Sequence, residues 1–435
     1  MRRRLSFPSH YPTLLTGKFD FSDEEASRSC RGSPCESLRT PYPKPKSTLA
    51  QFYNSVKEAA LDASLVMRLA LTLVLWIGLG FRSYFMFVRL ILFAICLIPA
   101  YIPVGTFWMY NRNVRTIRYG SESRNFLDIY YPMERRAKTL PVVVGVTGGA
   151  WIIGHRAWLA TIGKKLADSG GCVFVSIDYR NFPQGNLSDM VKDVQNGLDW
   201  VFSNMDVLGG DPSEIILMGQ SAGAHILSLI LIDKARKTSK KRSHDEHLKT
   251  NNRFQSLSQI KRLIGVSGAF DLVKLLPHLH SRGLSSKILS AVMAGDIFGS
   301  SPLRAIPLLT RDAVAHLPPI SLIHGSEDRT VPFASSVDFA AAVNRKGGDC
   351  TLKILHGVSH SGPILEGPLS GVHSVAELIM SHLKHDNSRA TPISSTVNEL
   401  GEFNRNKRFE VAMQTPQHGF IASGLLSVSK FINPF

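Results

Sequence analysis

Seven short apolar runs recur between residues 126 and 355, at 126–131, 142–147, 172–177, 214–219, 262–267, 319–324 and 350–355. Most are dense in Val, Ile and Leu, several stop at a Gly or a small polar residue, and a helix-length stretch separates most of them from the next. A strand with one wet face would alternate apolar and polar residues, whereas consecutive apolar positions require burial on both faces. Short runs of this kind alternating with helical segments predict a mostly parallel sheet flanked by helices, and the roughly 270 residues from 115 to 385 suit one such domain.

The fourth run leads directly into Gly219-Gln220-Ser221-Ala222-Gly223, a GxSxG, and a helix-compatible segment follows. Strand, sharp turn and helix form the setting in which this motif holds a serine hydroxyl above a sheet edge. A lone GxSxG is weak, because Gly and Ser are common in ordinary turns; its flanking strand is what gives it weight. A serine hydroxyl is a poor nucleophile near neutral pH, so it requires a base, and the base requires an orienting carboxylate. These arrive in the order Ser, Asp, His on loops after later strands. The loop after run 319–324 carries Asp328, and the loop after run 350–355 carries His360. His356, nearer the strand end, is the rival base, and Glu327 and Asp271 are rival acids. His360 has the reach across the sheet, and Asp328 stands one strand earlier. His225, one helical turn past Ser221, together with His155 and His324, reads as a hydrogen-bonded structural histidine.

Acyl transfer also needs donors for a developing oxyanion. The N–H of Ala222 is one, and the glycine-rich turn Thr147-Gly148-Gly149-Ala150-Trp151 after run 142–147 supplies Gly149 and Ala150. Three independent pieces on one sheet edge indicate a serine hydrolase. The sequence has no HExxH, no clustered His/Cys spacing and no GxGxxG after a strand, so neither a metal nor a nucleotide cofactor is expected. Asp178 and Asp189 with Arg180 read as residues that tie down a loop.

Fifty Lys+Arg against 34 Asp+Glu give a formal charge of +16, which raises nucleic acid, acidic lipid and basic tails as explanations. No zinc-finger spacing, RNP-like strand or basic heptad supports nucleic acid as a partner. The five cysteines are odd in number and scattered, which favours a reducing, cytosol-facing setting over a disulfide framework.

Residues 1–60 are Ser-, Pro- and Arg-rich without lasting apolar periodicity and read as a disordered basic N-terminus. Region 65–110 reads as membrane-anchoring helix. Its first uncharged run, 69–81, is 13 residues long, Arg82 and Arg89 interrupt, and 90–111 then runs 22 residues without a charge. The second run spans ~30 Å as helix, although Pro99 and Pro103 would kink it, and Tyr101, Trp108 and Tyr110 fit an interfacial belt. A two-pass hairpin would place Arg82 and Arg89 in the turn, against the positive-inside rule. Residues 234–259 read as a basic surface insertion in the domain. Residues 386–435 read as a variable tail, with an apolar end at 421–435 suited to docking on the domain or on lipid.

Four segments together resemble the plant isoprenylcysteine alpha-carbonyl methylesterases, membrane-bound α/β-hydrolases. They are the stretch from Thr147 to Gly154, Asp178-Tyr179-Arg180-Asn181-Phe182-Pro183-Gln184-Gly185, Gly209-Gly210-Asp211-Pro212 and the run from Gly219 to His225. The resemblance covers about 65 to 385. Thr147 stands where the broader carboxylesterase and lipase superfamily usually has His, a departure in keeping with the methylesterase group. The resemblance implies an α/β-hydrolase fold with an N-terminal membrane-helix region, Ser221 as nucleophile, Asp328 as acid and His360 as base. It implies a farnesyl- or geranylgeranyl-cysteine methyl ester at a protein C-terminus as substrate, no cofactor, and residence in endoplasmic reticulum and Golgi membranes with the site facing the cytosol. The competing classes are a membrane esterase or lipase acting on other esters, and a non-catalytic hormone receptor of the same fold, against which His360 argues.

Overall fold

The computed structural model describes residues 81–134, 139–243, 254, 256–282, 286–384 and 420–434, together with Ser64. The expected disordered segment 1–60, the first apolar run 69–80 and most of 244–255 lie outside the described residues. All seven apolar runs are strands: β2 (Phe126–Tyr130), β3 (Leu140–Val146), β4 (Val173–Ile177), β5 (Gly210–Gln220), β6 (Ile260–Val266), β7 (Ile320–Gly325) and β8 (Cys350–Leu355). Before them stands β1 (Val114–Arg118), an eighth strand with no apolar run to mark it, because its arginines and threonine interrupt one and its place at the sheet edge tolerates them.

The sheet has the order β1-β2-β4-β3-β5-β6-β7-β8. β4 through β8 run parallel with β3, while β1 and β2 pair antiparallel at one end. Successive residues of the central strands serve opposite cores. Val142, Val144, Val146, Ile215 and Leu217 pack on one side, and Val143, Ile216 and Met218 on the other. Burying such a side chain stabilises by roughly 1.5–3 kcal/mol, which is why both faces must be covered by helices.

The helices that matter to the site are α1 (Phe81–Tyr110), α2 (Ala160–Lys165), α3 (Leu187–Ser203), α4 (Ala222–Ser243), α5 (Ala334–Arg345), α6 (Ser374–Lys384) and α7 (Phe420–Ile432). α3 shows how the sequence sets such an element. Asn186 and Asp189 form a capping box, and the buried Leu187, Met190, Val191, Val194, Leu198 and Val201 recur at helical spacing. α3, α4 and α5 cover the first face. α1, α2, α6 and α7 cover the second, through Phe93, Leu97, Ala100 and Val104 of α1, Val375 and Ile379 of α6, and Leu426 of α7.

Three expectations about the flanking regions change. α1 runs unbroken through Arg82, Arg89, Pro99 and Pro103, so neither arginine lies in a turn between spans. Among the described residues, one helix is long and apolar enough to cross a membrane, Val88–Tyr110, and about a fifth of it is buried. Tyr101 and Trp108, expected at a lipid interface, instead face the domain. The Tyr101 hydroxyl donates to the Ala157 carbonyl at 2.5 Å, and the Trp108 Nε1–H to Asp128 Oδ2 at 2.7 Å. Asp128 is fully buried and also accepts from Thr116 and Arg156, so an indole donor there lowers its desolvation cost. Tyr110 and the apolar residues Ile91, Leu92, Ile95, Ile98 and Ile102 are exposed. Finally, residues 234–243 of the basic insertion are the last turns of α4, where Asp233 pairs with Arg236 and Lys237 one turn on. Of the five cysteines, Cys96, Cys172 and Cys350 are free and buried; Cys30 and Cys35 lie outside the described residues.

Candidate active site

Ser221 occupies the turn between β5 and α4 with φ 53°, a left-handed conformation that costs a non-glycine residue of order 1–3 kcal/mol. The sharpness of the turn explains its glycines. A Cβ on Gly223 would collide with the carbonyl oxygens of Val146 and Thr147, and one on Gly219 with the backbone of Ala224. The Ser221 N–H donates to the Val266 carbonyl at 2.8 Å, which pins the strained residue to the neighbouring strand end.

The loops after β7 and β8 bring Asp328 and His360 to the same edge. His360 Nε2 lies 2.9 Å from Ser221 Oγ, and His360 Nδ1 lies 2.7 Å from Asp328 Oδ2. A carboxylate only accepts, so Nδ1 carries the proton and Nε2 is left to accept from the serine hydroxyl. All three residues are buried. Asp328 Oδ1 accepts from the N–H groups of Thr330 and Val331 at 2.9 and 2.8 Å. Burial raises the Asp328 carboxyl, but the charges and hydrogen bonds of His360 and His324 outweigh it and hold the group well below the usual carboxylate range. The acid is therefore ionised wherever the histidine can act as a base.

His324 is a hydrogen-bonded structural histidine, as expected, and one of its partners is Asp328. It is fully buried at the end of β7, 3.0 Å through Nε2 from Asp328 Oδ2, with that same nitrogen 2.9 Å from the Val331 carbonyl and Nδ1 2.7 Å from Ser336 Oγ. Its position four residues before Asp328, on the strand that carries the acid, was the available signal. The rivals stand elsewhere. His356 and Glu327 are exposed, and Asp271 caps a helix through the N–H groups of Val273 and Lys274 and pairs with Arg304.

The turn after β3 lies against Ser221, since a Cβ on Gly148 would stand 2.7 Å from the Ser221 Cβ. Gly149, Ala150 and Trp151 follow with φ 115°, 51° and 63°. Three successive residues with positive φ curl the backbone into a tight, strained arc beside Ser221. The Gly148 N–H is occupied by Gln220 Oε1 at 3.0 Å, which ties the arc to the strand end before Ser221. Trp151 Nε1–H donates to His225 Nδ1 at 3.2 Å, and His225 Nε2 is 2.6 Å from the Ser300 carbonyl. His225 is thus a buried strut, and burial pushes its pKa down to about 4.

A buried ion pair braces the same loop from below. Arg124 donates to Asp178 Oδ2 and Oδ1 at 2.9 and 2.7 Å and to the Gly154 carbonyl at 2.6 Å. Asn181 donates to that carbonyl as well, at 2.7 Å. The expectation that Asp178 ties down a loop identified the task but not the partner: Arg180 pairs with Asp193 at 2.8 Å and approaches Asp189 only to 3.7 Å.

A mostly parallel sheet with a strained serine turn on its carboxyl edge is the α/β-hydrolase fold, and this chain is of the carboxylic ester hydrolase class. The BD-FAE family model matches residues 127–343. A probable isoprenylcysteine alpha-carbonyl methylesterase of Oryza sativa subsp. japonica is 40% identical over 74% of this chain and 75% of its own length. The Arabidopsis thaliana isoprenylcysteine alpha-carbonyl methylesterase is 37% identical over 74% of this chain and 73% of its own. A second, probable Arabidopsis methylesterase of that name is 36% identical over 89% of this chain and 86% of its own. The chain belongs to the isoprenylcysteine alpha-carbonyl methylesterase family.

Proposed function

We propose that this chain hydrolyses the methyl ester of S-farnesyl- or S-geranylgeranyl-cysteine at protein C-termini, with Ser221, His360 and Asp328 as its catalytic residues. The observation that carries the reading is the hydrogen-bonded file from Asp328 through His360 to Ser221, at 2.7 and 2.9 Å. Ser221 Oγ attacks the ester carbonyl carbon as its proton passes to His360 Nε2, and the oxyanion is held by the N–H groups of Gly149, Ala150 and Ala222. Collapse breaks the bond to the methoxy oxygen, which takes the proton from His360 and leaves as methanol. Water then attacks the acyl-serine with His360 again accepting the proton, giving the free carboxylate and restoring Ser221.

The exposed apolar flank of α1 and the candidate span Val88–Tyr110 support a membrane setting. An enzyme held there meets a prenyl chain that itself partitions into lipid at about 0.8 kcal/mol per methylene. We place it in endoplasmic reticulum and Golgi membranes with its site toward the cytosol, where membrane lipids and prenylated, carboxymethylated C-termini are its partners.

The test offers S-farnesylcysteine methyl ester and unprenylated cysteine methyl ester to the full-length enzyme. kcat/KM is expected to favour the first by ~100-fold or more, because a few buried isoprene methyls supply several kcal/mol in the transition state. Equal rates, or faster cleavage of triacylglycerol than of either, would overturn the substrate reading and leave an ester hydrolase of other preference.

A further inference from the structure

The two loops that hold His360 and Asp328 are tied to residues near the far end of the chain. At the end of α7, Asn433 is buried, and its Nδ2 donates to Glu366 Oε1 at 2.5 Å and to Ser359 Oγ at 3.0 Å. Ser359 and Ser361, the neighbours of His360 on either side, donate to the same Glu366 oxygen at 3.1 and 2.9 Å. The Ser359 hydroxyl in turn accepts from the Gly362 N–H at 3.1 Å. Three donors from two segments, the histidine loop and the end of α7, therefore converge on one carboxylate oxygen behind the histidine. The acid loop has its own tie: the Arg282 guanidinium donates to both the Pro434 and the Arg329 carbonyls, the latter one residue past Asp328.

The clamp is anchored in turn by α1. Arg89 Nε donates to the Ile432 carbonyl at 2.9 Å, and its Nη2 to those of Asn433 and Phe431 at 2.8 and 3.3 Å. These are carbonyls at a helix C-terminus, which have no partner within their own helix, so a guanidinium is a fitting cap. A cavity of about 510 Å³ opens beside the contact, lined by Arg89, Arg329, Glu327, Ser359, Glu366 and Asn433 among others. Beside this space the polar bridge links α7 to the histidine loop, next to the apolar cluster that Leu426 and Ile432 share with Ile364 and Leu369.

We propose that Asn433 is a positioning residue for His360, acting through Glu366 and Ser359, and that Arg89 holds it in place, so that the apolar helix α1 and the catalytic loop are mechanically one unit. The inference rests on the triad reading above. Proton transfer between Ser221 and His360 depends on a hydrogen bond whose misplacement by ~1 Å can cost 10²-fold. Losing the amide donor frees one side of the His360 loop, while Ser221, its elbow and the arc after β3 do not change.

The experiment measures p-nitrophenyl acetate hydrolysis by the full-length enzyme in detergent, with active sites counted by a fluorophosphonate that labels Ser221. Asn433→Ala is expected to lower kcat per labelled site about tenfold with KM within twofold of wild type. The isosteric Asn433→Asp, which replaces the donor by an acceptor facing Glu366, is expected to lose at least as much. Arg89→Met is expected to lose less, and Arg89→Met/Asn433→Ala no more than Asn433→Ala alone. Turnover per labelled site within twofold of wild type in both Asn433 variants would overturn the proposal, as would a loss appearing only as fewer labelled sites, which marks a purely structural role. Full activity in Ser221→Ala, by contrast, would remove the triad and this proposal with it.

Discussion

The carboxyl edge of the sheet and the face covered by α1 and α7 are built in opposite ways. At the edge, each proposed catalytic side chain follows its own strand, so the order of strands places them together: Ser221 after β5, Asp328 after β7, His360 after β8. On the covered face, the contacts join residues far apart in sequence, such as Arg89 with Ile432 and Thr161 with Ile364, and no local pattern specifies them. The edge is a set of positions given by topology; the face is a set of partnerships given by docking.

If that contrast is right, damage at the edge should remove chemistry and spare the fold. His360→Ala is expected to lose about 10⁴-fold in kcat while melting close to wild type, and His356→Ala to lose little, since His356 is exposed and outside the hydrogen-bonded file. The reverse pattern would move the base to His356 and break the comparison at its strongest point.

Damage to the braces beneath the edge should do the opposite. Arg124 and Asp178 are 2% and 1% exposed at the side chain. Burial raises the Asp178 carboxyl, but the charges of Arg124, His155 and Arg156 together hold it below the ordinary value. Removing one partner of a buried pair strands the other, at a cost of roughly 3–5 kcal/mol. Arg124→Met is therefore expected to lower the melting temperature and the yield of folded protein, with turnover per labelled site reduced only as far as the Gly149–Gly154 loop sags. Unchanged melting would mean that this pair carries no load.

The sequence made the edge legible because its signals are local. The central strands, buried on both faces, appear as apolar runs, and the elbow appears as Gly219 and Gly223 around a serine. What stayed hidden was of two kinds. β1 was missed because an edge strand need not be apolar, and its Arg115, Thr116 and Arg118 read as a charged flank. The partner of His324 and the roles of Arg124, Arg89 and Asn433 were hidden because they depend on residues 4 to 344 positions away, and a histidine, arginine or asparagine read alone does not announce a carboxylate or a helix end as its neighbour. Composition also does not show that residues 234–243, the start of the basic stretch 234–259, prolong α4, because solvated helix and solvated loop have the same composition; the continuation is visible only once Asp233 is seen pairing one turn ahead.

A smaller effect follows from His225. Burial keeps its imidazole neutral in the folded chain, with the pKa near 4 against 6.5 when exposed, so the unfolded chain binds more protons at intermediate pH. Stability from this residue is present above pH 6.5 and is lost as pH falls toward 4, amounting to about 2 kcal/mol between pH 7.5 and 5. The lowered carboxyls of Asp328 and Asp178 also favour the folded state at high pH, but their share is lost mainly nearer pH 4 and below. Melting temperature measured at pH 7.5 and 5 should fall in wild type and fall less in His225→Gln; equal slopes would remove His225 as the strut behind Trp151.

The smallest expected effect separates docking from lipid contact on the covered face. Trp108 Nε1–H is 2.7 Å from Asp128 Oδ2, and the Arg156 guanidinium lies 5.9 Å from the indole centroid. Trp108→Phe keeps an aromatic ring and removes the donor, leaving a buried carboxylate oxygen one hydrogen bond short at a cost of about 1–2 kcal/mol. Asp128 retains Thr116 and Arg156, so the fold should survive with a melting temperature lower by a few degrees. Tyr110→Phe, at an exposed position on the same helix, should leave melting unchanged. If Trp108 were an interfacial anchor instead, the ranking would change: both substitutions would leave melting alone, and Trp108→Phe would instead weaken retention on vesicles. A paired measurement of melting and vesicle sedimentation on the two variants therefore decides whether the end of α1 belongs to the protein core or to the bilayer, and with it whether the catalytic domain is held rigidly against its anchor or swings from it.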